Sequence, residues 1–144
     1  SRVGCVMLTG SGDAFCSGGD VSGMGAGGGQ PKSTHERAVE LTRKQETLTL
    51  RLHELAKPTV VALPGAAAGA GLSIALACDL RVACESAFVT TAFAKIGLSG
   101  DYGASWFLPR LIGLSRAKEM FYRPEKVFAP ECLSIGFFNK VFSR

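Results

Sequence analysis

Val3 to Leu8, VGCVML, is apolar at nearly every position, which is how a strand covered on both faces reads. The next stretch, TGSGDAFCSGGD, is broken by glycines and polar residues and reads as a loop. Gly23 to Pro31, GMGAGGGQP, is low in complexity and reads as a mobile segment. A helix is expected after Ser33, because Glu36 three residues on completes a capping box. Its apolar positions Ala38, Leu41, Leu48, Leu52 and Leu55 recur at helical spacing, with Gln45 the polar member, and Lys57-Pro58 ends it. TVVAL, Thr59 to Leu63, is a second buried strand. A helix over about Ala70 to Ala77 precedes two short strands in DLRVAC and AFVTTA, and KIGLSGDYG reads as a loop. Helical pieces over Ala104–Leu111, Ser115–Phe121 and Pro130–Ile135 follow, and an apolar strand, NKVFSR, closes the sequence. Strand and helix alternating in this way predict an α/β domain with helices packed on a largely parallel sheet.

PGAAAGAGLSIALACD, Pro64 to Asp79, does not fit an ordinary core pattern. Eight consecutive residues after the proline are Gly, Ala or Leu. Glycine in a helix costs about 1 kcal/mol relative to alanine, so a backbone this bare is there to be approached closely. Strand, bare turn and helix start together present main-chain N–H groups that the helix leaves unpaired. The spacing is not that of a dinucleotide turn, since Ile74 stands where a third glycine is needed, and the Gly-Lys-Ser/Thr of a phosphate loop is missing. FCSGGD after the first strand is a second loop of this kind. Two such loops after neighbouring strands can aim two donors at one oxygen, the geometry of an oxyanion hole. Tight packing of helix on strand is the alternative reading of the same glycines.

Composition narrows the classes. With 47% hydrophobic and 19% charged residues the chain reads as a folded globular domain. Its net charge of +4 is spread along the chain with no Lys/Arg block, which argues against a nucleic-acid partner. Five cysteines, an odd number with no CxxC pair, point to free thiols in a reducing compartment, several of them buried. No signal peptide is seen and no apolar run is long enough for a bilayer, so no membrane association is expected. A cytoplasmic location is expected, with an organelle matrix left open because the opening strand starts inside the domain. His35 and His53 have no paired ligands in the sequence, so no metal is expected.

DAFCSGGDV together with KPTVVALPGAAAGAGLSIALACDLRVACESAFV resembles the crotonase superfamily, the enoyl-CoA hydratase/isomerase fold. The likeness continues through KIGLSGDYGASWFLPRLIGLSRAKEM and FNKVF, apart from Gly23–Pro31. It implies an α/β fold, a spiral of ββα units of the ClpP/crotonase type, as a single domain over residues 1–144. That domain would be incomplete at both ends, because the family's N-terminal hairpin and helix and its C-terminal helical region have no counterpart. The resemblance also implies an acyl-CoA substrate and self-association as a trimer or hexamer. Coenzyme A is then part of the substrate, and no separate cofactor is expected.

Carried over residue by residue, the two oxyanion-hole donors fall on Gly19 and Ala70. Glycine is more usual at the second; alanine keeps the N–H and adds a methyl. Substrate contacts are implied for Cys16, Ser17, Gly18, Asp20 and Val21 on the first loop. On the second they are implied for Gly69, Gly71 and Ser73, with Phe93 beyond it. The two glutamates of the family's hydratases correspond to Ser73 and Phe93, so hydration by a glutamate pair is not expected. Asp101 in SGDYG falls at a third catalytic position of the superfamily. There dienoyl-CoA isomerases carry an acid–base aspartate and 4-chlorobenzoyl-CoA dehalogenases their nucleophile. The loop looks closest to the dehalogenase version. Yet the dehalogenase tryptophan is Phe93 here and its helix histidine falls near Glu46, so dehalogenation is not expected.

Each candidate has a plainer role beside it. Asp101 could cap the helix that begins at Ala104, and Tyr102 could serve packing. Glu46 is either solvated or a second acid. Asp20 could accept local backbone bonds, and Asp79 could open its strand. Cys16 has no neighbouring histidine to activate it. The expected function is an enoyl-CoA hydratase or isomerase with Asp101 as acid/base. An acyl-CoA hydrolase is the alternative, as is a catalytically degenerate homologue that binds CoA esters or serves assembly.

Overall fold

Residues 2–20 and 33–143 are described by the structure, a computed structural model; Val21 and the Gly23–Pro31 segment lie outside them. The first apolar run forms β1 (Val6–Thr9), which is not covered on both faces as expected: it is an edge strand with Met7 and Thr9 exposed, and β2 (Ala14–Cys16) follows it. α1 (Thr34–Gln45) passes through a π-helical turn, Glu46–Leu50, into the short α2 (Arg51–His53). β3 (Thr59–Leu63), β4 (Ala66–Ala68) and α3 (Ala70–Leu76) form the next unit. After β5 (Leu80–Cys84) and β6 (Phe88–Thr90) come a 3-10 turn, Phe93–Ile96, then α4 (Ala104–Ile112) and α5 (Leu114–Tyr122). β7 (Val127–Phe128), α6 (Ala129–Ser134) and β8 (Lys140–Phe142) complete the order.

Three times, two strands are followed by a helical segment, and the two strands of each pair go to different sheets. One sheet is all parallel in the order β1-β3-β5-β8; the other is ordered β2-β4-β6-β7, with only the last pair antiparallel. This is a ββα spiral. β3 is central to the first sheet, with Val61 opposite Leu8 on one side and Arg81 on the other. Its Thr59, Val61 and Leu63 are buried. They join Leu72 from α3, Leu108 from α4 and Phe137 near the C-terminal end in one core. Each buried Leu or Phe contributes about 1.5–3 kcal/mol relative to exposure.

Three short strands differ from the sequence expectation. β2 and β4 lie within stretches read as loop and turn, and β7 was not anticipated. Strands of two or three residues, two of them made of Ala, Phe and Cys, carry no periodicity to detect. The capping box of α1 is present: Glu36 N–H donates to the Ser33 hydroxyl at 3.2 Å, and Ser33 N–H to Glu36 Oε2 at 2.7 Å. The apolar stripe expected to be covered is largely not. Leu41, Leu48 and Leu55 stay exposed, while Thr49 is buried and Leu52 packs on the core. For Leu48 and Leu55 the π turn supplies a reason, because its extra residue per turn rotates everything after Glu46 relative to a 3.6-residue stripe; α1 ahead of it, with Leu41, buries no residue at all.

Two polar anchors tie the spiral together. Asp79, just ahead of β5, accepts from Thr59 N–H at 2.7 Å and the Thr59 hydroxyl at 2.8 Å, which holds its carboxyl below the usual range. Arg81 is buried and spends its guanidinium on main-chain carbonyls: Cys78 O at 2.6 Å, Phe137 O at 2.9 Å and Asp79 O at 3.3 Å. Its own main chain pairs with Asn139 through Arg81 N–H to Oδ1 and Asn139 N–H to Arg81 O, both 2.8 Å. Burial lowers its pKa. Cys78 and Cys132 are buried as small apolar side chains, their thiols pushed up by burial to about 11 and about 12.

Candidate functional site

The C-terminal ends of β2, β4 and β6 open onto one cavity of about 260 Å³. Ser17, Gly18 and Gly19 line it from the loop after β2, and Gly69 and Ala70 from the turn between β4 and α3. The remaining wall is Ala92, Phe93, Lys95, Ile96, Leu98 and Asp101. Residues at positions 19, 70 and 101 of the sequence thus meet at one place.

Bare backbone makes the meeting possible. Gly18 has φ 99°, and a Cβ there would come 2.9 Å from Ala68 O and 3.4 Å from Ala70 N. The first loop therefore lies directly against the second. A Cβ on Gly71 would come 2.7 Å from Cys16 Cβ and would strike Cys16 O, so α3 presses onto β2 without any side chain between them. Gly69 turns with φ 52°, its N–H given to Thr90 O at 3.1 Å. Ala70 is the first residue of α3, and a helix's first turn leaves its N–H groups without intrahelical acceptors. At Gly19 a Cβ would meet nothing within 4 Å, so that backbone faces open space.

Asp101 provides the ionisable group. Its Oδ1 is buried and has no hydrogen-bond partner among the described residues. Desolvation holds its pKa above the ordinary carboxyl value. The capping role is not what the structure shows. Gly103 occupies the N-cap of α4, no side chain caps it, and Asp101 contributes its main-chain carbonyl to Ala104 N–H at 3.1 Å. Phe93 is buried in the wall, its ring stacked on Phe121 at 6.3 Å, and its neighbour Ala92 has φ 57°. Tyr102 has φ 48°. Each such non-glycine residue costs on the order of 1–3 kcal/mol, and this pair brackets the segment from Phe93 to Asp101.

Of the expected site residues, Gly19, Ala70, Asp101, Ser17, Gly18, Gly69 and Phe93 line the cavity. Cys16, Gly71 and Ser73 stand behind the wall instead, the first two packed on each other and Ser73 fully buried. Asp20 is exposed and outside the lining, and Val21 lies outside the described residues. Glu46 lines a separate cleft with His53, Trp106 and Phe107. Lys95, Ile96 and Leu98 were missed: they sit on what read as plain loop, and the 3-10 turn that aims them has no sequence periodicity. Among the described residues no group of three or more His, Cys, Asp or Glu could hold a metal, and no helix is long and apolar enough to cross a membrane.

Two stacked, mostly parallel sheets wound from ββα units, with paired glycine-rich loops at the ends of neighbouring strands, define a crotonase-type fold. The description Enoyl-CoA hydratase/isomerase matches residues 1–144. The chain belongs to that family. It is 42% identical over 131 residues to a probable enoyl-CoA hydratase of Rhodobacter capsulatus, covering 91% of this chain and 49% of the relative. It is 35% identical over 141 residues to 4-chlorobenzoyl coenzyme A dehalogenase-1 of an Arthrobacter species, covering 98% and 50%. The crystal structure of a putative enoyl-CoA hydratase from Streptomyces coelicolor A3(2) superposes with a TM-score of 0.89 at 38% identity, over 99% of this chain and 51% of that one. The chain thus spans about half the length of these relatives.

Proposed function

We propose that the cavity receives an acyl-CoA thioester, with its carbonyl oxygen between the N–H groups of Gly19 and Ala70 and its reacting carbons facing Asp101. The observation that carries this reading is the buried, unpartnered carboxylate oxygen of Asp101 in the same wall as the two bare loops. Such an oxygen is expensive to keep unless it has work with a ligand. Family membership and the acyl-CoA names of the relatives support the substrate class.

A single carboxylate fits proton transfer. Asp101 takes a proton from a carbon next to the conjugated system, and the electron pair moves onto the thioester oxygen as an enolate held by the two donors. The proton then returns to a different carbon and the carbonyl reforms, shifting the double bond with no net change in atoms. Hydration passes through a different enolate held by the same donors: Asp101 takes a proton from a water whose oxygen adds to the β-carbon, the double-bond electrons move onto the thioester oxygen, and Asp101 returns the proton to the α-carbon as the carbonyl reforms.

Incubation with crotonyl-CoA in D2O, read by mass spectrometry, separates the outcomes. Gain of one water marks hydration, and deuterium uptake without added water marks enolate formation and isomerisation. Release of free CoA would replace both by hydrolysis. Tight binding with an unchanged thioester would favour the degenerate homologue.

Self-association belongs to the same proposal. Trp106, Leu114, Tyr122 and Phe128 are exposed on and beside α4 and α5, large apolar side chains that a neighbouring subunit would cover. Light scattering of the full chain is expected to show a trimer or hexamer; a stable monomer at micromolar concentration would refute it.

A further inference from the structure

Ser73 stands on α3 one turn beyond Ala70 and is fully buried. Its hydroxyl oxygen lies 3.0 Å from Asp101 O and 3.3 Å from Gly69 O. Neither carbonyl depends on it. Asp101 O already accepts Ala104 N–H at 3.1 Å, and Gly69 O accepts Ser73 N–H at 3.1 Å. A carbonyl with one of its two lone pairs satisfied costs little, so the fold loses no essential bond if the hydroxyl is absent.

The loop it touches, by contrast, needs outside support. Gly100 and Gly103 take φ of 122° and 82° as glycine readily does, but Tyr102, next to Asp101, has φ 48°, a sparsely populated conformation for a residue with a side chain. Such conformations persist only where surrounding groups fix them. The Ser73 hydroxyl has one proton to give, and donated to the nearer acceptor, Asp101 O, it ties that loop to α3, the helix whose first residue is Ala70. It is therefore a direct link between the two halves of the site.

The geometry points to Ser73 as a positioning residue: its hydroxyl fixes the main chain of Asp101 against α3 and so holds the carboxyl in the cavity wall. This inference rests on the reading of Asp101 as the acid/base group. It gives a position expected to contact substrate a different task. The side chain acts on the carboxylate's placement from behind the wall, and no proton passes through it.

The test reads Asp101 itself. The chain has four aspartates (Asp13, Asp20, Asp79 and Asp101), so protein labelled at the aspartate carboxyl carbon gives four NMR signals, and Asp101→Asn identifies the one that matters. Lys95, the other charged residue in the cavity wall, and Tyr102 beside Asp101 are the same in every Ser73 variant. In the parent, Asp101 is expected to titrate above the ordinary carboxyl range. Ser73→Ala should bring it back toward that range as the loop relaxes and water reaches the carboxyl, with circular dichroism like the parent's. Ser73→Cys, which keeps a weaker donor, should fall between and guards against a misfolded alanine variant. Where crotonyl-CoA is turned over, Ser73→Ala should lower kcat about 10-fold at unchanged KM and cost nothing more on the Asp101→Asn background. A misplacement of ~1 Å can cost up to about 10²-fold, so the effect is within reach of a lost tether. If Asp101 titrates identically in parent and Ser73→Ala, the positioning role is wrong while the Asp101 reading stands. If Asp101 titrates in the ordinary range in the parent, the acid/base reading falls instead.

Discussion

Asp101→Asn is expected to reduce turnover of a CoA thioester by about 10²-fold or more while raising the melting temperature at neutral pH. The first effect is the usual worth of a general acid or base. The second follows from linkage. Desolvation raises the carboxyl's pKa in the folded protein, so the native state keeps its proton to higher pH than the unfolded chain does. Stability therefore falls as pH rises from the ordinary carboxyl value through the raised one, and at pH 7 the ionised group is a cost. Asparagine has nearly the same shape and no charge to desolvate. Affinity for the CoA portion should hardly change, because the loop after β2 is untouched. Steady-state kinetics and thermal melts at pH 4 and pH 7 check both halves, with the stabilisation confined to the higher pH. Full turnover in the variant would move the chemistry elsewhere in the cavity. A lower melting temperature at pH 7 would show that the carboxylate has a structural partner.

Ala70→Pro is expected to abolish most turnover with the fold retained. Proline removes the N–H and is accommodated at the first position of a helix, where that N–H has no intrahelical acceptor. Gly69 ahead of it, at φ 52° and ψ −123°, lies outside the helical region that a following proline disfavours. Loss of one oxyanion donor typically costs about 2.7–4 kcal/mol, or roughly 10²–10³ in kcat. Ala70→Gly keeps the N–H and should remain active, which separates the missing donor from disturbance of the turn. Unchanged kinetics in Ala70→Pro, with circular dichroism like the parent's, would remove this N–H from the site.

What was legible in the sequence is what local chemistry dictates. The capping box at Ser33, the apolar run of β3 and the small-residue start of α3 all appear where their residue types require them. The two glycine-rich turns were readable as places of close approach because their residues carry almost no side chain; Gly18 and Gly71 were expected as substrate contacts, and Gly71 proves to pack on Cys16 instead. The convergence of positions 19, 70 and 101 was available only through resemblance, since nothing in spacing links the ends of three different strands. β2 and β4 stayed hidden because their identity comes from partners across the sheet, in pairings such as Ala14 with Ala66. The same holds for Ser73. A buried serine in a helix gives no sign of what it reaches, and its distant partner, the Asp101 carbonyl, becomes visible only in three dimensions.

Arg81 sets a rule for the order of assembly. Its guanidinium has two local acceptors, Cys78 O and Asp79 O, but takes its third, Phe137 O, from a segment made much later, which also supplies Asn139 to the Arg81 main chain. While a ribosome makes this protein from its N-terminal end, β1, β3 and β5 emerge with that charge still seeking water. A cation short of one acceptor is costlier to bury, so β5 is expected to close its core fully only once the segment around residue 137 has left the exit tunnel. A nascent chain stopped short of Phe137 is therefore expected to be the less stable one, because Arg81 then stands in the middle of its sheet with an N–H donor unpaired.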